Sequence, residues 1–248
     1  ILPAALTLPI ILPMIGGGWS DVFAFWSAPV AIIMLLVLLF APRASSGSVV
    51  ATGRRWWPDW SKLLIWRLGF TFGTVNAIYF GTNAFLPDYL NSHGQGAWIS
   101  ATLTGLNTGQ LPASVLLLLF ANRLELKVWP YIAAGLVCAL ATVGIVFGSG
   151  PAVVLSASII GFAAAAIFVL VLALPPLLAP PDDVHRVTAA MFTISYSWAV
   201  VIPVISGYLW DASGIPGMAF LPILVCGVIL ALLAPTIKHD NVGFLSQI

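Results

Sequence analysis

The side chains able to do chemistry inside the apolar runs of this chain are few, and they share helical spacing. Within TVNAIYFGTN, Thr74 to Asn83, a segment otherwise made of Leu, Phe, Ile, Gly and Trp carries Asn76, Tyr79 and Asn83. At about 100° per residue, Asn76 and Asn83 come within roughly 20° of each other, with Tyr79 and Phe80 between them. Asn107, Gln110 and Ser114 form a second stripe at i, i+3 and i+7. Thr193, Tyr196 and Ser197 form a third, with Thr188 and Ser195 on a neighbouring line. A hydroxyl can bond its own i−4 carbonyl, so a lone Ser or Thr asks for little explanation. An amide has four bonding sites, and a partner beyond its own helix, or water, is expected for it. Two uses are open: bonds between helices, or a polar face on an aqueous path.

Other chemistries lack their residues. No Lys, Arg, Asp, Glu or His falls near the middle of an apolar segment, and neither HExxH nor GxSxG occurs. Asp182 and Asp183 share a short loop without a second acidic pair. The two cysteines, Cys138 and Cys226, each sit within an apolar run, with no CxxC or His/Cys cluster. The expectation is a protein that is not an enzyme and uses no cofactor or metal. Net charge is +1 without a basic run, so nucleic acid is not an expected partner.

The elements that position these stripes follow from composition. Of 248 residues, 60% are hydrophobic and 7% charged, against about 25% charged in a soluble domain. Eight apolar segments can be drawn, at roughly 1–15, 22–41, 63–90, 99–121, 129–148, 152–178, 187–210 and 218–236. They are continuously apolar and about twice the length of a barrel strand, which predicts helices. The fold class expected is all-α, a polytopic membrane bundle of about eight transmembrane helices.

Charge placement tests that drawing. The nine Lys and Arg residues are Arg43, Arg54, Arg55, Lys62, Arg67, Arg123, Lys127, Arg186 and Lys238, and all lie at alternate connections. GGGWSD, NSHGQG, GSGP and DASGIPG, the other set, contain none. Independent placement would give such one-sidedness roughly once in 250 trials, and the positive-inside bias requires it. The basic connections and the C-terminus are therefore expected in the cytoplasm. The chain opens without Met, inside an apolar stretch, and reads as N-terminally truncated.

Two stripes of small residues accompany the polar ones. Gly69, Gly73, Ala77 and Gly81 recur every fourth residue in the third segment, as do Ala101, Gly105, Gly109 and Ala113 in the fourth. In lipid, helices associate where small residues let backbones approach, so both stripes are expected to be packing seams. The Asn76/Asn83 face lies about 100° round from the first seam, leaving one flank to pack and another to face a polar space.

Several motifs resemble the major facilitator superfamily of transporters. SGYLWDASG is similar to that family's G-x-L-x-D-x-[ST]-G through Gly207, Leu209, Asp211, Ser213 and Gly214. LPMIGG resembles the end of P-x-x-G-G through Pro13, Gly16 and Gly17, with Leu12 in place of a glycine. LFANRLELK resembles a decayed G-x-x-x-D-R-x-G-R-R loop. It keeps Arg123 and Lys127 but has Asn122 for the acid and Leu118 and Glu125 for glycines. AFLPDYLNSHG and TGLNTGQLPASVLLLLFANR look most like the cyanate/nitroimidazole branch.

The resemblance implies two helices of an N-terminal half (1–42), a cytoplasmic loop (43–62) and a six-helix C-terminal half (63–248). It implies alternating-access transport of a small anion such as cyanate, or of a small polar molecule, across the bacterial inner membrane. Proton coupling is left open. The implied partners are the bilayer, the solute and a missing N-terminal half. Asn76, Tyr79, Asn83, Asn107 and Gln110 would line the path. Gly69, Gly73, Gly81, Gly105, Gly109, Arg123, Gly207, Asp211 and Gly214 would serve packing or gating. The small seam of the fourth segment would meet the missing half or helix five. A channel-like path, or a membrane receptor or scaffold without transport, is the alternative.

Overall fold

A computed structural model describes residues 11, 14, 18–40 and 57–237. Pro13, Gly16 and Gly17, most of the segment 1–15, the linker up to residue 56 and the tail from Lys238 lie outside the described residues. Helices alone make up the regular structure, with no strand among the described residues. Seven of the spans are long and apolar enough to cross a membrane. The eighth expected crossing falls on residues not described.

The chain divides into two compact units, Ile1–Trp56 and Trp57–Ile248. In the first, α1 (Trp19–Phe40) is apolar on every side, and its long stretch of exposed Val, Ile, Leu and Phe suits hydrocarbon rather than water.

The second unit holds α2 (Leu63–Ser92), α3 (Ile99–Thr108), α4 (Gln110–Leu124), α5 (Trp129–Phe147), α6 (Pro151–Leu178), α7 (Val184–Ser213) and α8 (Leu221–Ile237). Helices α3 and α4 are two parts of one span, Gly96–Leu124. The sequence predicts that span as continuous. It breaks because Pro112 has no N–H for the Thr108 carbonyl and its ring crowds that oxygen. Helix α7 stops at Gly214, whose φ of 67° is left-handed and whose N–H closes on Trp210 O. The last residues of the SGYLWDASG motif are thus a helix terminator, with the Ser213 hydroxyl accepting from Ile215 N–H.

The packing has an internal order. Taken as two triplets of spans, α2, α3–α4, α5 and then α6, α7, α8, the main contacts between the triplets are α2 with α7, α3–α4 with α6, α5 with α8, α2 with α8, α5 with α6, and α2 with α6. Exchanging the triplets converts this set into itself. Each triplet crosses three times, so the second starts on the opposite side from the first. An exchange axis must then lie in the plane of the layer.

Small residues sit where these pairs meet. A Cβ at Gly69 or Gly73 would strike Ile194 or Trp198 of α7, and one at Gly81 would touch Ile223 of α8. Gly135 and Gly227 are reciprocal: a Cβ on Gly135 would come 2.6 Å from Gly227 O, and one on Gly227 would come 2.9 Å from Gly135 O. The seam of the fourth segment corrects an expectation. Gly105 and Gly109 face Ser158 of α6, within this unit, and a Cβ on Gly161 of α6 would overlap the Leu106 carbonyl. Gly161 lies outside any four-residue ridge, so a search for ridges passes over it. At the centre, Phe72 packs 5.0 Å from Phe168 and 5.2 Å, edge-on, from Phe192.

Both ends of the bundle are tied. At the end rich in Lys and Arg, Asp183 accepts from Lys62 and Arg186, and Arg186 donates through Nε and Nη2 to the Trp57 carbonyl. At the other end, Tyr89 donates to Val146 O at 2.7 Å and Gly150 N–H to Gln95 Oε1 at 2.8 Å. The bond from Lys62, helped by Arg186, holds the Asp183 carboxyl below its ordinary 3.8. A carboxyl depressed by folding supports the structure above its ordinary value, and the support is lost as pH falls through the lowered one. The tie should therefore be intact at neutral pH and open only below pH 3.8. Asp183→Asn is expected to open it at pH 7. Tryptic cleavage after Lys62 should rise several-fold relative to cleavage after Arg54 and Arg55, counted by mass spectrometry.

Candidate functional site

Hydroxyl groups leave the candidate set first. Ser114, Thr188, Thr193 and Ser197, like Thr102, Thr108, Thr142 and Ser158, each donate to their own i−4 carbonyl at 2.7–3.0 Å. That bond satisfies the donor without a solute or a second helix.

The α2 face divides. Asn76, 3% exposed, donates from Nδ2 to Ser195 Oγ of α7 at 2.7 Å. Its position one residue before Ala77 in the small seam brings α7 close enough for that bond. Asn76 is therefore an interhelical tie, spent on a hydroxyl that is itself fully buried. One turn on, Tyr79 is half-buried and its hydroxyl donates to Asn107 Oδ1 at 2.7 Å. Asn107 in turn donates to its own Leu103 carbonyl at 2.8 Å. Asn83 donates from Nδ2 to the Tyr79 carbonyl at 3.1 Å.

The last two bonds correct the expectation that an asparagine must look beyond its helix. One amide N–H of each is spent on a carbonyl four residues back. The other capacity stays available, and only Asn107, through Tyr79, uses any of it across helices.

Tyr79, Asn83, Asn107 and Gln110 are what remains. Tyr79, Asn83 and Gln110 are neither sealed in the core nor fully exposed, whereas Asn107 is 2% exposed. Gln110 opens α4 immediately after the break, and its Nε2 is buried without a hydrogen-bond partner. Polar groups in this state are met by water or a bound molecule. The four therefore offer amide donors, amide acceptors and a phenol, and no charge. Such a set can replace part of a hydration shell.

The remaining residues singled out from sequence lie elsewhere. Gly207 is beside Phe85 with room for a methyl group, Asp211 is exposed near the end of α7, and Arg123 is exposed in the last turn of α4. Among the described residues no group of three or more His, Cys, Asp and Glu could hold a metal ion. The signal that could have separated Asn76 from Asn83 was its place along the seam: Asn76 directly precedes Ala77, whereas Asn83 lies two residues past Gly81, whose neighbour is Ile223 of α8. No family model, curated protein or solved structure matches this chain.

Proposed function

We propose that the chain is part of a secondary transporter of the major facilitator type. It would pass a small, uncharged or singly charged polar solute across a membrane by alternating access. The observation that supports this most is the exchange symmetry of the six-span unit. Inverted triplets are the architecture of such transporters, and their solute sites lie between repeats beside interrupted helices. The span α3–α4 is interrupted at Gly109, ahead of Pro112. Asn107 and Gln110 flank that break, and Tyr79 bonds Asn107. On this reading residues 1–42 close an N-terminal half, 43–62 link the halves, and 63–248 form the second. The basic end of the bundle faces the cytoplasm.

The test requires no knowledge of the solute. Single cysteines are placed on a chain whose buried Cys138 and Cys226 have been replaced, and a charged, membrane-impermeant thiol reagent is added. Asn83→Cys should react much faster than Leu140→Cys. Leu140 is 71% exposed on α5 but apolar in its surroundings, so lipid would cover it. Cysteines at Arg123 and His93 should label from opposite sides, with His93 outside. Equal rates at positions 83 and 140 would remove the aqueous path, and labelling of position 123 from outside would reverse the orientation.

A further inference from the structure

The connection between α4 and α5 carries cations that nothing among the described residues uses. Arg123 and Lys127 are both exposed, and among the described residues neither side chain makes a hydrogen bond or ion pair. Two other cations at this end, Lys62 and Arg186, are already held by Asp183. The connection is nevertheless well formed. Glu125 N–H bonds Ala121 O, Lys127 N–H bonds Leu124 O, and the Tyr131 hydroxyl clamps Glu125 O at 2.8 Å. Apolar side chains are exposed around the two cations: Phe120 at 43%, Leu126 at 49% and Trp129 at 60%. A connection surrounded by water alone would not favour that combination. Cations with an indole and aliphatic neighbours match the boundary where headgroups meet hydrocarbon.

A gating role would need an acid beside Arg123, and position 122 is Asn. The charge of this unit points the same way. Among its described residues, five Lys and Arg (Lys62, Arg67, Arg123, Lys127, Arg186) and four acids (Asp59, Glu125, Asp182, Asp183) belong to this end, whereas Asp88 and Asp211, with no cation, belong to the other. We infer that Arg123, Lys127 and Trp129 form a binding site for the phosphate of an anionic phospholipid headgroup in the adjoining leaflet. Arg123 offers a planar fork for the phosphate oxygens, Lys127 a second charge, and Trp129 an indole seated at headgroup depth.

The experiment uses the full chain, purified in detergent and given equal mole fractions of phosphatidylglycerol and phosphatidylcholine. Retained lipid is counted by native mass spectrometry. The unaltered protein should retain phosphatidylglycerol in clear excess. Arg123→Gln with Lys127→Gln should cut that preference by about 30-fold, whereas Lys62→Gln should leave it in place. Glu125→Lys, which removes an acid, adds a cation and keeps the backbone carbonyl that Tyr131 uses, should raise it by at least about fivefold. This gain does not depend on the double variant folding. Inorganic phosphate should not displace the lipid. No initial preference, full retention in the folded double variant, no rise in Glu125→Lys, or displacement by phosphate alone would each overturn the assignment. The site requires only that this end meets a bilayer, so it stands or falls separately from transport.

Discussion

Gly161→Ala is expected to lower the melting midpoint of the purified protein by about 6–12 °C, while Gly207→Ala leaves it unchanged or slightly raised. The two glycines lie in contacts related by the exchange, α3 with α6 and α2 with α7, but their neighbours differ in kind. A Cβ on Gly161 would overlap the backbone carbonyl of Leu106, and a backbone cannot turn aside as a side chain can. The whole α3–α6 contact would have to open, costing about 3 kcal/mol at the upper part of the usual overpacking range. In a unit of this size each kcal/mol moves the midpoint by about 2–4 °C. A Cβ on Gly207 would meet Phe85 ring carbons at 3.6 and 3.8 Å, which is ordinary contact. There alanine also improves the local helix preference. Thermal unfolding in one detergent, read on both variants, settles the matter. A Gly161→Ala protein that melts with the unaltered one would mean that α3 and α6 do not approach as described.

On the proposed transport function, Asn83→Leu is expected to reduce uptake about 5- to 30-fold with little change in melting. That range corresponds to roughly 1–2 kcal/mol for a hydrogen bond lost to the solute. Little stability is at risk, because the Asn83 amide bonds a carbonyl of its own helix. Leucine is also at home in an apolar span. Asn76→Leu is expected to do the reverse. It removes the bond to Ser195 and leaves a fully buried hydroxyl without its partner, which should cost about 1 kcal/mol and a few degrees. Uptake per folded molecule should be nearly normal. Uptake and melting measured on the same preparations separate the two asparagines. Normal uptake with a lowered midpoint in Asn83→Leu would make that residue a tie like Asn76 and withdraw it from the path.

The contrast between these asparagines also marks how far the sequence can be read. Both amides sit on one helical face, and periodicity cannot tell them apart, because it describes a helix without its neighbours. The same holds for the fourth segment. Ala101, Gly105, Gly109 and Ala113 announce a seam by their spacing, yet nothing local says that Val154 and Ser158 of α6 meet it. The break at Gly109 was signalled by Pro112, but a proline in an apolar span can equally be absorbed without interruption, as Pro203 is in α7.

Membrane character, the helical class, the approximate span limits and the placement of Lys and Arg at alternate connections are properties of composition and order. Each residue adds to them independently, so the chain alone determines them. The partner of each small-residue seam, the division between a tied Asn76 and a half-buried Asn83, the exchange symmetry and the exposure of Arg123 and Lys127 belong to the tertiary structure. They depend on which atoms distant segments bring within hydrogen-bond or van der Waals reach. One turn of helix, as between Asn76 and Tyr79, is enough to change the partner.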